Sequence, residues 1–586
     1  MNVLTSLSAI FGEAFAAQNL DPAFGEVVVS GRPDLGQFQC NGALPAAKQA
    51  GRNPRDIAQA VVDYLQDRPE LDELSLAGPG FINIVLNDRA LVENASSMRT
   101  DRLGIDPVAT PKRVLVDYGG PNVAKDMHVG HLRATIIGDS LTRIGKFVGH
   151  DVLGDAHFGD WGTQMGQVIV GIKERMPDLP YFDPTITDSY PNNSPVTMTD
   201  LQEIYPDISE RAERDPDVAE AARLATLELQ QGRAGYRALW EHLVAVSQAS
   251  QRADFHDLGV DFDLWHGEST VHDLIEPLID QLRTNGLALE SDGALVVDVA
   301  EPGDKMEIPP LLLMKGDGAY LYTTTDVATL QMRMEELERE EVLYVVDARQ
   351  ALHFEQVFRV GRKAGLVPPE TILEHIKFGT MNGPDGKPFQ TRKGGVVKLR
   401  DLINMVAQAG LERLAESKVV EYSEQEQRKI ARLVGLAALK FGELSNHRQS
   451  DYLFDLERFT SLVGKTGPYL QYAVVRTQSI LREAKEAGWL PGDLIEPSVE
   501  AERRLMLELL RTPDVIDRAW STRAPNHIAE FAYELAQQFN RFYEECHILR
   551  EADLARKTSW LSLVELTGRT LTLLLDLLGI EVPDRM

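Results

Sequence analysis

Three observations predict that this 586-residue sequence folds as a multidomain α/β protein. The chain is too long for one ordinary hydrophobic core, and 43% apolar with 25% charged residues is a globular composition. The order β-run, turn, helix occurs twice: Val114 to Tyr118, Gly119-Gly120-Pro121-Asn122 and Leu132 to Phe147; then Val342 to Val346, Asp347 and Ala351 to Ala364. That order is the mark of a Rossmann-type nucleotide fold with a parallel sheet. From about Asp401 the pattern is almost wholly helical. The expected organisation is a small α+β domain over 1–110, a Rossmann-type domain over 111–400 with an insertion at about 177–265, and an α-helical domain over 401–586.

Each element has a local reason. Val3, Leu4, Leu7, Ile10, Phe11, Ala14 and Phe15 share one helical face, and Glu13 with no preceding Lys or Arg argues against a signal peptide. An irregular Gly-rich stretch (Asp34 to Ala46) precedes a helix over Pro54 to Leu65, and Gly78-Pro79-Gly80 leads into an apolar segment, Ile82 to Leu86. The insertion is turn-rich over Asp183 to Pro195 and then helical. Near the C-terminal third, Ser423 followed by Glu426 forms a capping box ahead of the buried face Ile430, Leu433, Val434, Ala437 and Ala438. Even Leu571 to Ile580 is interrupted by Asp576, so no membrane span is expected.

Charge and cysteine usage limit the function. Sixty Lys plus Arg against 89 Asp plus Glu, a net charge of −29, excludes a protein that grips nucleic acid through overall charge; any such contact must use local basic patches. The two cysteines, Cys40 and Cys546, cannot build a disulfide framework or a four-sulfur site, so reduced thiols, a cytoplasmic location and no structural zinc are expected.

The chemistry-bearing stretch is Pro121-Asn122-Val123-Ala124-Lys125-Asp126-Met127-His128-Val129-Gly130-His131, where an apolar strand ends and a helix begins. Unpaired backbone N–H groups and the positive end of the helix dipole favour phosphate there. His128 and His131 share a face of the first turn, and Gly130 leaves room for a flat base. Alone, His-x-Gly-His also describes a metal half-site or surface residues.

The longer pattern resembles the class I aminoacyl-tRNA synthetases, and its Pro-Asn-x-x-Lys-x-x-His-Val-Gly-His form resembles the arginine-specific family. Gly159-Asp160-Trp161-Gly162-Thr163-Gln164, Tyr320 to Asp326, Asp347-Ala348-Arg349-Gln350, Gly386 to Arg392, Gly78 to Asn83 and Gly579-Ile580-Glu581-Val582-Pro583 extend the resemblance over nearly the whole chain. It implies a catalytic Rossmann-type domain, an N-terminal tRNA-contacting domain and a C-terminal anticodon-binding domain. The implied substrates are L-arginine, ATP with Mg²⁺, and tRNA(Arg), and a monomer is expected. Other possible readings are a class I enzyme for another amino acid, a small-molecule nucleotidyltransferase and a noncatalytic tRNA-binding relative.

By the same resemblance, His128, Gly130, His131, Gly159, Asp160, Trp161 and Gly162 hold ATP. The family's Lys-Met-Ser-Lys-Ser loop is absent; Lys387 and Arg392 lie in its nearest equivalent, a run whose basic residues also include Lys393, Lys398 and Arg400, and Lys125 is the candidate for the missing cation. Tyr322, Asp326 and Gln350 surround the substrate side chain, with Glu268 as a second acid and Asn122 near the α-amino end. A guanidinium presents five donors, so carboxylates are its natural partners. Tyr322 and Asp326, four apart, converge if a helix starts near Thr323. Gly119-Gly120 stand where many members have serine, leaving that contact to backbone or water. Phe81 and Asn83 resemble the aromatic and amide pair that reads a D-loop base, while Arg448, Tyr469, Tyr472 and Arg476 fall in the segment resembling the anticodon-binding region.

Overall fold

The computed structural model describes residues 3–32, 34–316, 320–383, 385–387, 389, 397–416 and 422–586. It divides into two compact units, Met1–Val108 with Ser461–Met586, and Ala109–Thr460.

In the first unit the helix Val3–Ala16 buries Val3, Leu7, Phe11, Ala14 and Phe15, the face expected from spacing. An antiparallel sheet of β1 (Val27–Val29), β2 (Phe38–Cys40), β3 (Leu71–Ala77) and β4 (Phe81–Leu86) has the order β1-β2-β4-β3. The helix Pro54–Leu65 starts where Asn53 accepts the Arg55 N–H and proline occupies the first turn. The helices Gly467–Glu486, Asn526–Glu545 and Leu554–Leu577 pack together in the same unit. Arg503 ties its two stretches of chain, donating to Asp88 at 2.8 Å and to the Leu86 carbonyl at 2.7 Å.

The second unit is built on a parallel sheet. Strands β5 (Arg113–Asp117) and β6 (Asp151–Asp155) are followed by an antiparallel trio, β7 (Ala288–Ser291), β8 (Ala294–Val297) and β9 (Leu311–Met314), and then by β10 (Glu341–Tyr344) and β11 (Ile372–His375). The order β11-β10-β5-β6 is parallel throughout, with the helix Val129–Val148 joining β5 to β6 and the helix Ala351–Lys363 joining β10 to β11. This is the doubly wound arrangement expected from the sequence, and its crevice lies beyond the carboxyl ends of the strands. The insertion contributes the helices Met198–Arg214, Pro216–Gln230 and Ala234–Asp257, whose Leu201, Ile204, Leu229 and Leu239 share a core with Met165, Ile169 and Ile172.

The boundary expected at 400/401 lies inside this unit, because the helices Leu399–Glu416 and Glu424–Leu444 pack with it. Helical periodicity gives a buried face but not the core that the face joins. Ser423 and Glu426 do form the capping box expected of them.

One buried ion pair fixes that packing. Arg133, in the helix Val129–Val148, is 2% exposed; its Nε donates to Glu443 Oε1 at 2.8 Å, and its terminal nitrogens donate to the Ser450 and Arg448 carbonyls, both at 3.1 Å. The segment it holds includes β13 (Tyr452–Leu453), which pairs in parallel with β12 (Met381–Asn382) at the start of the basic run, and Asp451 accepts the Thr380 N–H at 2.6 Å. Replacing Arg133 by Met leaves Glu443 buried without its partner, at a cost of about 3–5 kcal/mol. The expected result is a large fall in the denaturation midpoint, with the double variant Arg133→Met/Glu443→Gln recovering part of it; equal losses for the single and double variants would count against the pair.

Candidate active site

The turn after β5 presents the two histidines through a cap made by their own rings. His128 is the N-cap of the helix Val129–Val148 and its Nδ1 accepts the Gly130 N–H at 3.0 Å, while His131 Nδ1 accepts the His128 N–H at 3.2 Å. The rings lie 4.1 Å apart between centroids. Because each Nδ1 is an acceptor, the proton of each neutral imidazole sits on Nε2 as a free donor. Both rings favour the neutral form: burial and then the Lys125 charge lower His128, and burial followed by the neighbouring His128 pushes His131 down to about 3. The absent side chain of Gly130 makes room for the cap, since a Cβ there would meet His128 Cε1 at 2.8 Å.

Lys125 follows Ala124, whose φ is +62°, and its Nζ sits 4.7 Å over the Tyr205 ring of the insertion. The far end of the basic run is anchored to the same turn, with Val129 N–H donating to the Val397 carbonyl and Leu399 N–H to that of Met127. Lys398 pairs with Asp126 at 2.6 Å and Arg400 with Asp254 at 2.6 Å, so these two cations are engaged in holding the run. Lys387 is exposed, and Arg392, like Lys393, lies outside the described residues.

Beside the turn is a cavity of about 330 Å³ lined by Asn122, Gly159, Trp161, Gly162, Glu268 and Tyr322, among others. Asn122 forms an isolated parallel β-bridge with Gly159, and a Cβ on Gly159 would fall 2.2 Å from Asn122 Oδ1, so a larger residue there would displace the Asn122 amide. Arg223, paired with Glu220, and Lys315 also line this space. Tyr322 and Asp326 stand one turn apart at the start of the helix Tyr322–Glu335, as their spacing predicts. Asp326 lies close enough to Glu268 for its charge to act there. Burial first, then Asp326 and Asp160, push Glu268 up to about 8 against a Trp161 backbone hydrogen bond. Asp160 is buried beneath the lining, where burial raises its carboxyl although Ser269 donates to it through N–H (2.9 Å) and hydroxyl (2.6 Å). Glu268 thus feels the charge of both other acids.

Sequence reasoning missed His353, whose Nε2 lies 2.6 Å from Asp326 Oδ2 and whose ring packs 5.1 Å from Tyr322. It also missed Arg333, buried at the carboxyl ends of β5 and β6 between Asp117 (2.6 Å) and Asp155 (3.1 Å). Gln350 is not brought to this cavity: it is exposed at the end of a short 3₁₀ turn, Ala348–Gln350. Gly119 has a φ of +85°, and a Cβ there would meet the Phe262 and Phe255 rings at 3.0 and 3.1 Å, which makes serine a strained choice.

The family described as tRNA synthetases class I (R), catalytic domain, matches residues 96–456; the DALR anticodon binding domain matches 470–586, and the arginyl tRNA synthetase N terminal domain matches 2–86. Over the full length of both chains, the sequence is 48% identical to an arginine–tRNA ligase of Maricaulis maris and 45% identical to one of Alkaliphilus oremlandii. The chain belongs to the arginyl-tRNA synthetase family. Among solved structures, the arginyl-tRNA synthetase of Plasmodium falciparum superposes with a TM-score of 0.81 at 25% identity, covering 100% of this chain and 99% of that one. The Thermus thermophilus arginyl-tRNA synthetase shares the fold, with a TM-score of 0.78 at 23% identity and full coverage of both chains.

The residues resembling the tRNA contacts of arginyl-tRNA synthetases are placed unequally. Asn83 is 2% exposed and its amide is engaged, accepting from Gln39 at 2.9 Å and donating to Ser75 at 3.4 Å, while Phe81 is half-buried. Arg448 is buried and donates to the Lys377 carbonyl at 2.9 Å, so in this conformation it is a connector within the second unit and not a surface cation. The cause is β13, whose pairing with β12 draws that stretch inward. Tyr472 is exposed, and Arg476 lies over the Tyr472 and Tyr543 rings at 4.7 and 5.2 Å. Tyr469 accepts from Asn540 Nδ2 at 2.6 Å, and Arg476 donates to Asn540 Oδ1 at 2.9 Å.

The paired histidine cap predicts a tautomer. In ¹⁵N spectra, His131 is expected to show a neutral ring protonated on Nε2 and to keep it well below pH 6; a ring that titrates near 6.5 would overturn the cap geometry.

Proposed function

We propose that this chain is an arginine–tRNA ligase that activates L-arginine with ATP and passes it to the 3′ end of tRNA(Arg). The observation that carries this reading is that Glu268 lines a cavity next to the histidine turn and lies within reach of the Asp326 charge, in a chain that matches arginine ligases end to end. The guanidinium is held by Asp326 and Glu268 with Tyr322 beside it, and Asn122 orients the α-amino end. Gln350 is exposed outside this cavity and needs a local rearrangement of its turn to join. A neighbouring pair of carboxylates, Glu268 and Asp326, suits a cation and disfavours the apolar amino acids of other class I enzymes.

ATP, entering with Mg²⁺ as its substrate complex, lies across His128, Gly130 and His131, with Gly159, Asp160, Trp161 and Gly162 forming the adjoining wall. The arginine carboxylate attacks the α-phosphorus, and pyrophosphate leaves. The Nε2–H donors of His128 and His131 stabilise the charge that develops, and neutral rings donate without a prior proton exchange. Lys125 supplies the fixed cation next to them, and Lys387 and Arg392 reach the departing phosphates. A terminal ribose hydroxyl of tRNA then attacks the arginyl carbonyl, releasing AMP. Phe81, Asn83, Tyr469, Tyr472 and Arg476 contact the tRNA, with Arg448 supporting from inside the second unit. The enzyme works as a cytoplasmic monomer without structural zinc.

The test is Asp326→Asn, read by ATP–pyrophosphate exchange in the presence of tRNA(Arg). Loss of the carboxylate is expected to cost about 3–5 kcal/mol of arginine binding, with little change in the KM for ATP and weaker discrimination against citrulline. Wild-type preference for arginine over citrulline in the variant would sink the assignment.

Glu268 sets a pH dependence. Its raised value makes it neutral in the free enzyme below about 8, whereas a guanidinium is best held by its ionised form. The KM for arginine is therefore expected to fall as pH rises towards about 8 and then level off, with Glu268→Gln abolishing the trend. A flat profile from pH 6.5 to 8.5 would refute it.

A further inference from the structure

We infer that His353 is a positioning residue for arginine selection, acting through Asp326. The inference rests on the reading of Asp326 as the guanidinium carboxylate.

Asp326 Oδ2 is 2.6 Å from His353 Nε2, which makes this imidazole its hydrogen-bond partner. A free aspartate rotates broadly about its terminal torsion, so an unsupported Asp326 presents its oxygens over a wide arc. A donor fixed on one oxygen sets the carboxylate plane and turns the other oxygen to the substrate. His353 is suited to this because it does not itself move freely. It belongs to the helix Ala351–Lys363, its side chain is 11% exposed, and its ring is wedged between Tyr322 (5.1 Å) and Phe354 (5.2 Å). The same ring therefore braces both Tyr322 and Asp326, which share the start of the helix Tyr322–Glu335. The other ring nitrogen, Nδ1, is buried without a hydrogen-bond partner. A buried orphan nitrogen is unfavourable, so the position is not explained by local polar satisfaction alone.

The arrangement also divides the work between two acids. With one lone pair of Asp326 Oδ2 taken, a guanidinium fork is shared best between Asp326 and Glu268, whose ionisation already responds to Asp326. Geometry of this kind favours a planar, several-donor cation over the single-point ammonium of lysine.

The experiment compares His353→Leu, which removes the donor, with His353→Gln, whose amide nitrogen can replace it, in the full-length enzyme with tRNA(Arg). Expected for His353→Leu is a roughly tenfold rise in the KM for arginine, a KM for ATP within about twofold of wild type, and reduced preference for arginine over lysine. His353→Gln should recover most of the arginine KM. In an Asp326→Asn background the leucine substitution should add little, because the two act as one unit. Unchanged arginine KM in His353→Leu, failure of glutamine to rescue, or a parallel shift in ATP KM would each overturn the inference. Asp326→Asn alone separates the levels: if it leaves arginine KM unchanged, the reading of Asp326 fails; if it raises it while His353→Leu does not, only the role of His353 fails.

Discussion

Carboxylates gathered at the ends of a parallel sheet are the constraint around which the second unit is arranged. Asp117 and Asp155 end β5 and β6, and Asp160, Glu268 and Asp326 follow in the crevice above. Like charges brought out of water repel strongly, so each must be neutralised, hydrogen-bonded or protonated. Each of these outcomes is present. Arg333 stands between Asp117 and Asp155; burial opposes the ionisation of Asp155, yet His266 and the Arg333 charge hold it at about 2. Ser269 satisfies Asp160 and His353 partners Asp326. Glu268, with two acidic neighbours and little compensation, is left to take a proton. A site completed by a permanently charged guanidinium is what this imbalance favours.

The histidine turn is organised on the opposite principle, by keeping positive charge in reserve. His128 and His131 spend their Nδ1 atoms on backbone N–H groups and stay neutral, so they act as oriented dipoles. Their neutrality is partly the work of Lys125, whose charge opposes protonation of both rings. Of the basic run, Lys398 and Arg400 are tied to Asp126 and Asp254, and the start of the run is held by β12 and Asp451. Both ends of the run are thus bound to the helix that carries the histidines: one through Val397 and Leu399, the other through the segment clasped by Arg133.

Much of this could be read from sequence where the physics is local. Asn53 before Pro54 and Ser423 before Glu426 each satisfy backbone groups within a few residues, and the elements begin where those residues require. Tyr322 and Asp326 converge for the same reason. What escaped is pairing across long separations. The Lys398–Asp126 and Arg133–Glu443 contacts join residues hundreds of positions apart, so nothing in a basic run shows that Lys398 and Arg400 are already engaged. Arg448 and Asn83 look like surface contacts by type but are drawn inward by β13 and β4. His353 carried one available signal: it stands three residues beyond Gln350, on the helix expected after the second β-run.

An acidic chain must hold an acidic nucleic acid without help from its net charge, and the first unit suggests how on the proposed reading. Arg476 lies against Tyr472 and Tyr543, and a neighbouring cavity of about 430 Å³ is lined by Arg476, His547 and Arg550 together with Glu483 and Glu544. Cations there are matched by carboxylates, so long-range attraction to phosphate is weak. Stacking on exposed aromatic faces requires contact and is sequence-tolerant, while the planar guanidinium stays ordered between rings. Such a surface gains affinity only once a base is in place, and it gives little hold on duplex phosphates elsewhere. The net charge of −29 then acts as a filter, opposing nonspecific association while leaving the stacked contacts intact.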